Sequence, residues 1–445
     1  MLEVLNTLLW GPGTLALILG TGVWLTLRTG GFPQRNLGRA LTLSLGREAR
    51  RKGRGGVSPF GSLMTALAST VGTGNIVGVA AALVSGGPGA LVWMELAALL
   101  GLAAKFAECM LAVKYCRVRR DGTRWGGPMA VMETRLGSAG AVLGRFYALF
   151  ALLMAFAMGA MAQSGALADT FSAAFTLPRW RVGLVTAALA LTILLGGIRR
   201  IADISTVLVP VMALLYLGGG LAVILGNLRR LPEAVTLMLR CAVAPEAALG
   251  GALGIVTRRE ALRWGVARSV FSNEAGLGSA AITAACADTE DPVKQGLISM
   301  TGVFFDTMVI CTVTGLAICC SGTLGAADGN GRPLTGAALT LRAFETVLGP
   351  LAPWLIGVAL GLFAFTSVLG CAVQAETTAS YLLGPEAVRP CRVLYGLAVF
   401  AGAVIPMAAV LQLADLANAL MAFPNLVCLL LLSDEIAGEG RRKDR

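Results

Sequence analysis

The sequence predicts an all-α polytopic membrane protein, and three observations carry that reading. Its 445 residues are 56% hydrophobic and 14% charged, whereas soluble domains carry about 25% charged residues. Apolar runs long enough to cross a bilayer recur along the whole chain. Lys and Arg are distributed unequally between alternate connections.

The apolar runs place eleven transmembrane helices near 8–27, 60–84, 89–113, 146–175, 182–198, 204–226, 245–270, 296–320, 350–381, 393–412 and 415–433. Residues 1–6 lack the basic flank of a signal peptide, so the first run is expected to be an uncleaved helix. With eleven spans the termini lie on opposite sides, and one choice of orientation fixes every loop. An outside N-terminus puts 28 of the 36 Lys and Arg on the cytoplasmic side, seven outside, and Lys105 within a span. The basic tail Arg441-Arg442-Lys443 is then cytoplasmic. The net charge of +11 reflects topology and contact with anionic headgroups, not nucleic-acid binding. No linker separates a soluble domain, so residues 1–445 form one membrane domain.

Histidine is absent, which removes the usual acid–base and metal-ligating side chain. The ten cysteines show no metal-ligand spacing, and most fall inside spans, where they act as small apolar residues. An enzyme is not expected.

The second span contains Gly72-Thr73-Gly74-Asn75-Ile76-Val77-Gly78 inside an uncharged stretch. Glycine costs about 0.5–1 kcal/mol per helix-interior position relative to alanine, and an unsatisfied amide in hydrocarbon costs several kcal/mol. The helix is therefore expected to break here, where a polar ligand binds. A second break is expected at residues 250–254, in the seventh span, with Gly250 and Gly251 facing the ligand. Two breaks five spans apart suit a 5+5 inverted repeat, spans 2–6 and 7–11, preceded by an extra N-terminal helix. Close helix packing is the alternative reading of either glycine cluster.

Several motifs in order then resemble one family: GTGNIVGVA (72–80), GGPGALVWM (86–94), Lys105-Phe106-Ala107-Glu108, GGPM (126–129), GGIRRIAD (196–203), VARSVFSNEAGLGSA (266–280), Phe305-Asp306-Thr307, and FAFTSVLG (363–370) with Glu376. The chain resembles the alanine or glycine:cation symporters, sodium-coupled amino-acid carriers with a LeuT-type fold. The resemblance implies that Thr73, Gly74 and Asn75 present amides to a substrate carboxylate, which suits the positive end of a broken helix. It implies a sodium site formed by the carbonyls of Ala68 and Val71 with Asn75, Thr366 and Ser367, oxygen ligands that suit a hard cation. Back-bonding to the i−4 carbonyl is the other reading of Thr366 and Ser367. Gln163 matches a glutamine placed beside the substrate.

The chain also departs from that family. Cys371 stands where a tryptophan is usual, Glu95 where an aromatic is usual, and Ala130 and Val131 replace aromatics. If Cys371 lines the pocket, it makes room for a larger substrate. Lys105 and Glu108 are spaced to pair on one helix face, and the Asn273-Glu274 run is expected at the inner face. Asp306 and Glu376 have open roles, pairing with cytoplasmic basic groups among them. The expected function is sodium-coupled symport of alanine or glycine by a monomer in a cytoplasmic-type membrane. Alternatives are a sodium- or proton-coupled carrier of another neutral amino acid such as glutamine and, more remotely, a transport-dead sensor or a channel.

Overall fold

The computed structural model describes all residues except 1–5, 7, 8, 54–56, 120, 121, 244, 245, 249–254, 330 and 445. Seven of its helices are long and apolar enough to cross a membrane, and a bent pair, Pro59–Thr70 with Gly74–Gly86, makes an eighth. Outward-facing Leu149, Leu184, Leu189, Val207, Leu214 and Leu397 are all exposed, as hydrocarbon-facing helix surfaces require.

The first helix described along its whole length is α1 (Pro12–Arg28). The bent pair is α2 (Pro59–Thr70) and α3 (Val79–Gly86), joined through a π-helical turn at Gly74–Gly78. Ser58 caps α2 by accepting from the Gly61 amide, and Pro59 stands at its first position, where no N–H is needed. Next come α4 (Gly89–Lys114), α5 (Pro128–Met154) and α6 (Gln163–Phe175), the last two fused by a π-helical segment, Ala155–Ala162. Then follow α7 (Arg179–Leu194), α8 (Gly197–Gly226) and α9 (Leu231–Val243).

After a small hairpin the chain continues as α10 (Arg258–Asn273) and α11 (Ser279–Ala285). Helices α12 (Pro292–Val303) and α13 (Thr312–Ser321) flank a third π-helical segment, Phe304–Cys311. The remainder is α14 (Gly336–Leu348), α15 (Leu351–Leu383), α16 (Val388–Val404), α17 (Met407–Leu431) and α18 (Ser433–Asp444).

Most expected spans coincide with a long helix, and the differences have local causes. Helices α1 and α7, at 17 and 16 residues, fall short of the roughly 20 that cross a bilayer untilted. The expected fourth span is preceded by further helix: Gly127 and Pro128 start a turn that carries Glu133 and Arg135 and kinks at Gly137 (φ 61°), after which α5 runs on through the expected window. The expected tenth span ends at Val404: Ile405 is extended and Pro406 precedes α17, as the residue before proline favours.

The seventh window, 245–270, is not one helix. Glu246–Ala248 pairs antiparallel with Ile255–Thr257, and the helix starts only at Arg258. The expected break at 250–254, with Gly250 and Gly251, lies outside the described residues. Helix α10 backs onto the start of α4: a Cβ on Gly265 would stand 2.3 Å from the Ala90 carbonyl oxygen, and one on Gly86 2.8 Å from Trp264 Cβ. Arg258, Arg259, Arg263 and Arg268 therefore sit at the Gly89 end of α4, opposite the end to which the charge count assigned them. Moving these four gives 28 − 4 = 24 basic residues on one side and 7 + 4 = 11 on the other.

Helix α10 itself breaks. Glu274, Gly276 and Gly278 have φ of 53°, 86° and 81°, three left-handed residues in five positions, which no continuous helix accommodates. Ala275 and Leu277 between them are 3% and 0% exposed. The Asn273-Glu274 run is thus buried in the centre of the molecule, not placed at an inner face.

Candidate functional site: two helix breaks face to face

At the first break the helical ladder is diverted by a side chain. The Gly72 amide would close the next turn on Ala68; it donates instead to Asn75 Oδ1 at 3.0 Å. The Val77 amide then bonds back to the Thr73 carbonyl at 2.8 Å, restarting the ladder beyond the gap. The Ala68 carbonyl is left at a helix C-terminus without its helical donor, at the negative end of the α2 dipole. Such an oxygen suits a cation.

Helix α15 closes on this turn because Gly370 has no side chain. A Cβ there would stand 2.5 Å from the Ser69 amide nitrogen and 2.9 Å from the Ala68 carbonyl carbon. The contact brings Ser367 Oγ to 3.5 Å from the Val71 carbonyl. Thr366, beside it, donates to the carbonyls of Leu362 and Phe363 at 2.9 and 3.0 Å and lies 3.2 Å from Met212 Sδ. The back-bonded reading therefore holds for the Thr366 hydrogen, which leaves oxygen lone pairs available.

Asn75 is fully buried and departs from its expected role as an open oxygen ligand. Its oxygen is occupied by Gly72, and its Nδ2 reaches Asp306 Oδ1 at 2.8 Å, the Asp306 carbonyl at 3.1 Å and Ser272 Oγ at 3.1 Å. Ser272 in turn donates to Asp306 Oδ2 at 2.7 Å, as does Thr307 at 2.9 Å. Asn273 donates to Thr307 Oγ1 at 3.1 Å. One asparagine thus ties the first break, the end of α10 and the π-helical segment of α12–α13 into a single buried network.

Asp306 is the carboxylate at its centre, fully buried and surrounded by three neutral donors. Its hydrogen bonds run to neutral donors, whereas Glu376 pairs with a basic group through two 2.8 Å bonds to Arg392. Asp306 was visible in the sequence as a charge inside a span, a costly placement that marks function. Its partners were not visible, because Asn75 lies 231 residues away.

Gln163 Oε1 lies 3.4 Å from Thr73 Oγ1, and the atoms nearest a Cβ placed on Gly72 belong to Ser367 and Gln163. Thr73 and Gly74 are half-buried, and nothing lies within 4 Å of a Cβ position on Gly74, so this turn borders open space. Ala68, Val71, Thr73, Gly74, Asn75, Gln163 and Ser367 lie together around this break, with Thr366 on the adjoining face. Cys371 does not join them. A Cβ on Gly159 would meet Cys371 Cβ at 2.2 Å, so the thiol packs into the α5–α6 π-helical segment.

The other departures also have partners. Glu95 accepts from Thr312 Oγ1 at 2.8 Å. Ala130 and Val131 are buried in the first turn of α5. Lys105 Nζ lies 3.5 Å from Glu108 Oε1, both side chains within the core.

Comparison with known proteins agrees with this architecture. The family model described as the sodium:alanine symporter family matches residues 1–441. An uncharacterized transporter of Haemophilus influenzae is 44% identical over 442 residues, 99% of this chain and 94% of its own. The sodium/alanine symporter AgcS of Methanococcus maripaludis is 40% identical, covering 99% and 96%. The probable sodium/glutamine symporter GlnT of Bacillus subtilis is 36% identical, covering 97% and 87%. Among solved structures, the fold is similar to that of an Eremococcus coleocola manganese transporter, with a TM-score of 0.50 at 13% identity over 84% of this chain and 77% of that one. With a family model covering nearly the whole chain and relatives of this length and identity, the protein belongs to the sodium:alanine symporter family of membrane transporters and is not an enzyme.

Proposed function

We propose that the protein is a sodium-coupled symporter of a small neutral amino acid, alanine or glycine, working by alternating access. The observation that carries this reading is the diverted Gly72 amide: it exposes the Ala68 carbonyl beside Val71 and Ser367, a set of neutral oxygens suited to sodium. The half-buried turn at Thr73 and Gly74 offers N–H groups to a carboxylate, with Gln163 across from it. A zwitterion is the ligand such a turn fits, since amides and carbonyls lie one helical gap apart. Asp306, with Ser272, Thr307 and the Asn75 link, is a second oxygen cluster for a cation, reached from the other break.

The same reading takes the architecture as a LeuT-type 5+5 inverted repeat of eleven helices. One repeat is α2/α3, α4, α5/α6, α7 and α8; the other is α10/α11, α12/α13, α15, α16 and α17, with α1 in front. The broken first member of each repeat supports it, because α3 ends and α10 begins at the Gly89 end of α4, so the two run in opposite senses. The 24-to-11 division of basic residues supports an outside N-terminus and a cytoplasmic C-terminus. One chain supplies every group named, which fits a monomer in a cytoplasmic-type membrane.

Glutamine is the second reading, favoured by the open space at Gly74 and by the likeness to GlnT. The packing of Cys371 against Gly159 removes the argument that this residue enlarges the pocket. Uptake of labelled alanine, glycine and glutamine into proteoliposomes, with and without a sodium gradient, separates the two. Sodium-driven alanine or glycine uptake is expected; glutamine alone supports the second reading, and uptake of all three indifferent to sodium overturns both. Dissipating a proton gradient in the same vesicles tests the proton-coupled form.

A further inference from the structure

We propose that Glu108, on α4, is an anion built into the chain that holds the second helix break open, and so positions Ser272 and Asn273 at the centre. The proposal rests on the sodium-symporter reading for its consequence, but its geometry stands apart from it.

Glu108 is 2% exposed. Its Oε2 accepts from the amides of Gly276 and Gly278, each at 3.1 Å, and from Asn425 Nδ2 at 3.1 Å. Those two amides are the ones that would close helical turns on Ser272 and Glu274. Left-handed glycines turn successive N–H groups inward into a concave cradle that favours an anion, and here the anion is a side chain of the same molecule.

The device matches the one at the first break, where Asn75 takes the Gly72 amide and frees Ala68. At both breaks a side-chain oxygen captures an amide and so releases a carbonyl at the end of the preceding helix. The difference lies in where the oxygen comes from: Asn75 belongs to its own turn, whereas Glu108 comes from α4 and is steadied by the Asn425 amide donor of α17.

The second break is also held sterically. A Cβ on Gly278 would stand 2.5 Å from Pro128 Cγ and 2.8 Å from Tyr147 Oη, and Asn425 Nδ2 also donates to the Gly276 carbonyl at 2.9 Å. Lys105 supplies the counter-charge: Nζ is 3.5 Å from Glu108 Oε1 and finds no hydrogen-bond partner. Glu108, with that lysine beside it on the same helix, ties the cradle to α4. Because the captured amides begin four residues after Ser272, the rotation of Ser272 toward Asp306 follows from where Glu108 holds the chain. Glu108 is therefore a positioning residue.

The test compares wild type with Glu108→Leu/Lys105→Leu, which removes both buried charges together, with Glu108→Gln, which retains an acceptor oxygen, and with Asn425→Leu, which leaves the charge pair. In proteoliposomes, normalised to folded protein, the double variant is expected to raise the half-saturating sodium concentration about tenfold or more, as loss of groups that orient ion ligands does. The maximal rate at saturating sodium should fall far less, and Glu108→Gln should recover most of the sodium affinity.

Hydrogen exchange over residues 270–285 in detergent, without substrate, should quicken in the double variant. Wild-type sodium dependence with unchanged exchange overturns the proposal. So does an unchanged half-saturating sodium concentration in the double variant or, if that variant cannot be purified, in Asn425→Leu. Absence of any sodium dependence in wild type overturns the symporter reading instead, and the exchange result still decides for or against the cradle.

Discussion

Asn75 shows how one side chain can organise three segments. Its oxygen caps Gly72 and its nitrogen joins Asp306 and Ser272; alanine at this position leaves a buried amide and a buried carboxylate each short of a partner. A buried group stripped of its hydrogen bond costs about 1–3 kcal/mol, and the released Gly72 amide becomes free to rewind onto Ala68. Asn75→Ala is therefore expected to lower the Tm and abolish its rise with sodium, measured by thermal shift in detergent; a sodium-dependent rise equal to that of wild type excludes Asn75 from the ion site. Residue-level reading of the sequence singled out Asn75 because a polar group in an uncharged run is conspicuous, whereas Ser367 came only from the family resemblance, since its hydroxyl alone reads equally as back-bonding. It misjudged Asn75 as an open ligand because the competing donor is a backbone amide, which sequence does not display. It left Asp306 unassigned because the donors that surround it come from two other helices.

The elements repeat one physical solution. Asn75 and Asp306 lie within π-helical segments and Gln163 immediately follows one, so each wide turn presents a polar side chain toward the centre that a regular α-helix would have rotated away. The first break was legible because glycine and asparagine stand out in an apolar span. The second was not, because the arginines of α10 mask its hydrophobic face. Left-handed geometry makes Gly278 the sensitive position. At φ 81° and with 2.5 Å to Pro128 Cγ, Gly278→Ala should cost about 1–3 kcal/mol of strain and overpacking, read as a lower Tm and a smaller yield of monodisperse protein, whereas Gly74→Ala, with open space around it, should leave the Tm near wild type.

The terminal helix α18 adds a pH-dependent element outside the spans. Glu435 pairs with Lys114 at 2.8 Å and Arg135 at 3.1 Å and accepts from Tyr115. Burial works against its charge, but the Lys114 and Tyr115 hydrogen bonds and the neighbouring cations hold its carboxyl below the ordinary value. A carboxyl depressed in the folded state stabilises above its unfolded pKa of about 4.3 and loses that contribution as pH falls through the lower, folded value. Docking of α18 should thus persist at neutral pH and weaken below about pH 4. Hydrogen exchange of residues 433–444 checks this, with Glu435→Gln expected to loosen the helix already at pH 7.

At the scale of the whole molecule, hydropathy and the basic-residue bias were enough to read a polytopic membrane protein, because lipid constrains every span in the same way. The bias survives even after four arginines change sides. What the sequence could not display is that the two breaks touch: the Asn75–Ser272 bond joins positions 197 residues apart. That contact gives the last prediction. If sodium is held at Ala68, Val71 and Ser367, and the amino acid at the Thr73–Gly74 turn directly beyond, then Gly72 and Asn75 belong to both sites. Ordering the turn for one ligand removes part of the ordering cost for the other, and linkage requires the two effects to be equal. Alanine affinity should rise with sodium by the same factor as sodium affinity rises with alanine, typically about 5–150-fold. Paired titrations of the stabilisation by each ligand, at fixed concentrations of the other, measure both factors on one protein, since a ligand at about 100 times its Kd adds roughly 2.7 kcal/mol. Equal factors that both collapse to one in Asn75→Ala place the coupling in this turn; factors that stay above one in that variant move the coupling to the Asp306 cluster on the other side of the same bond.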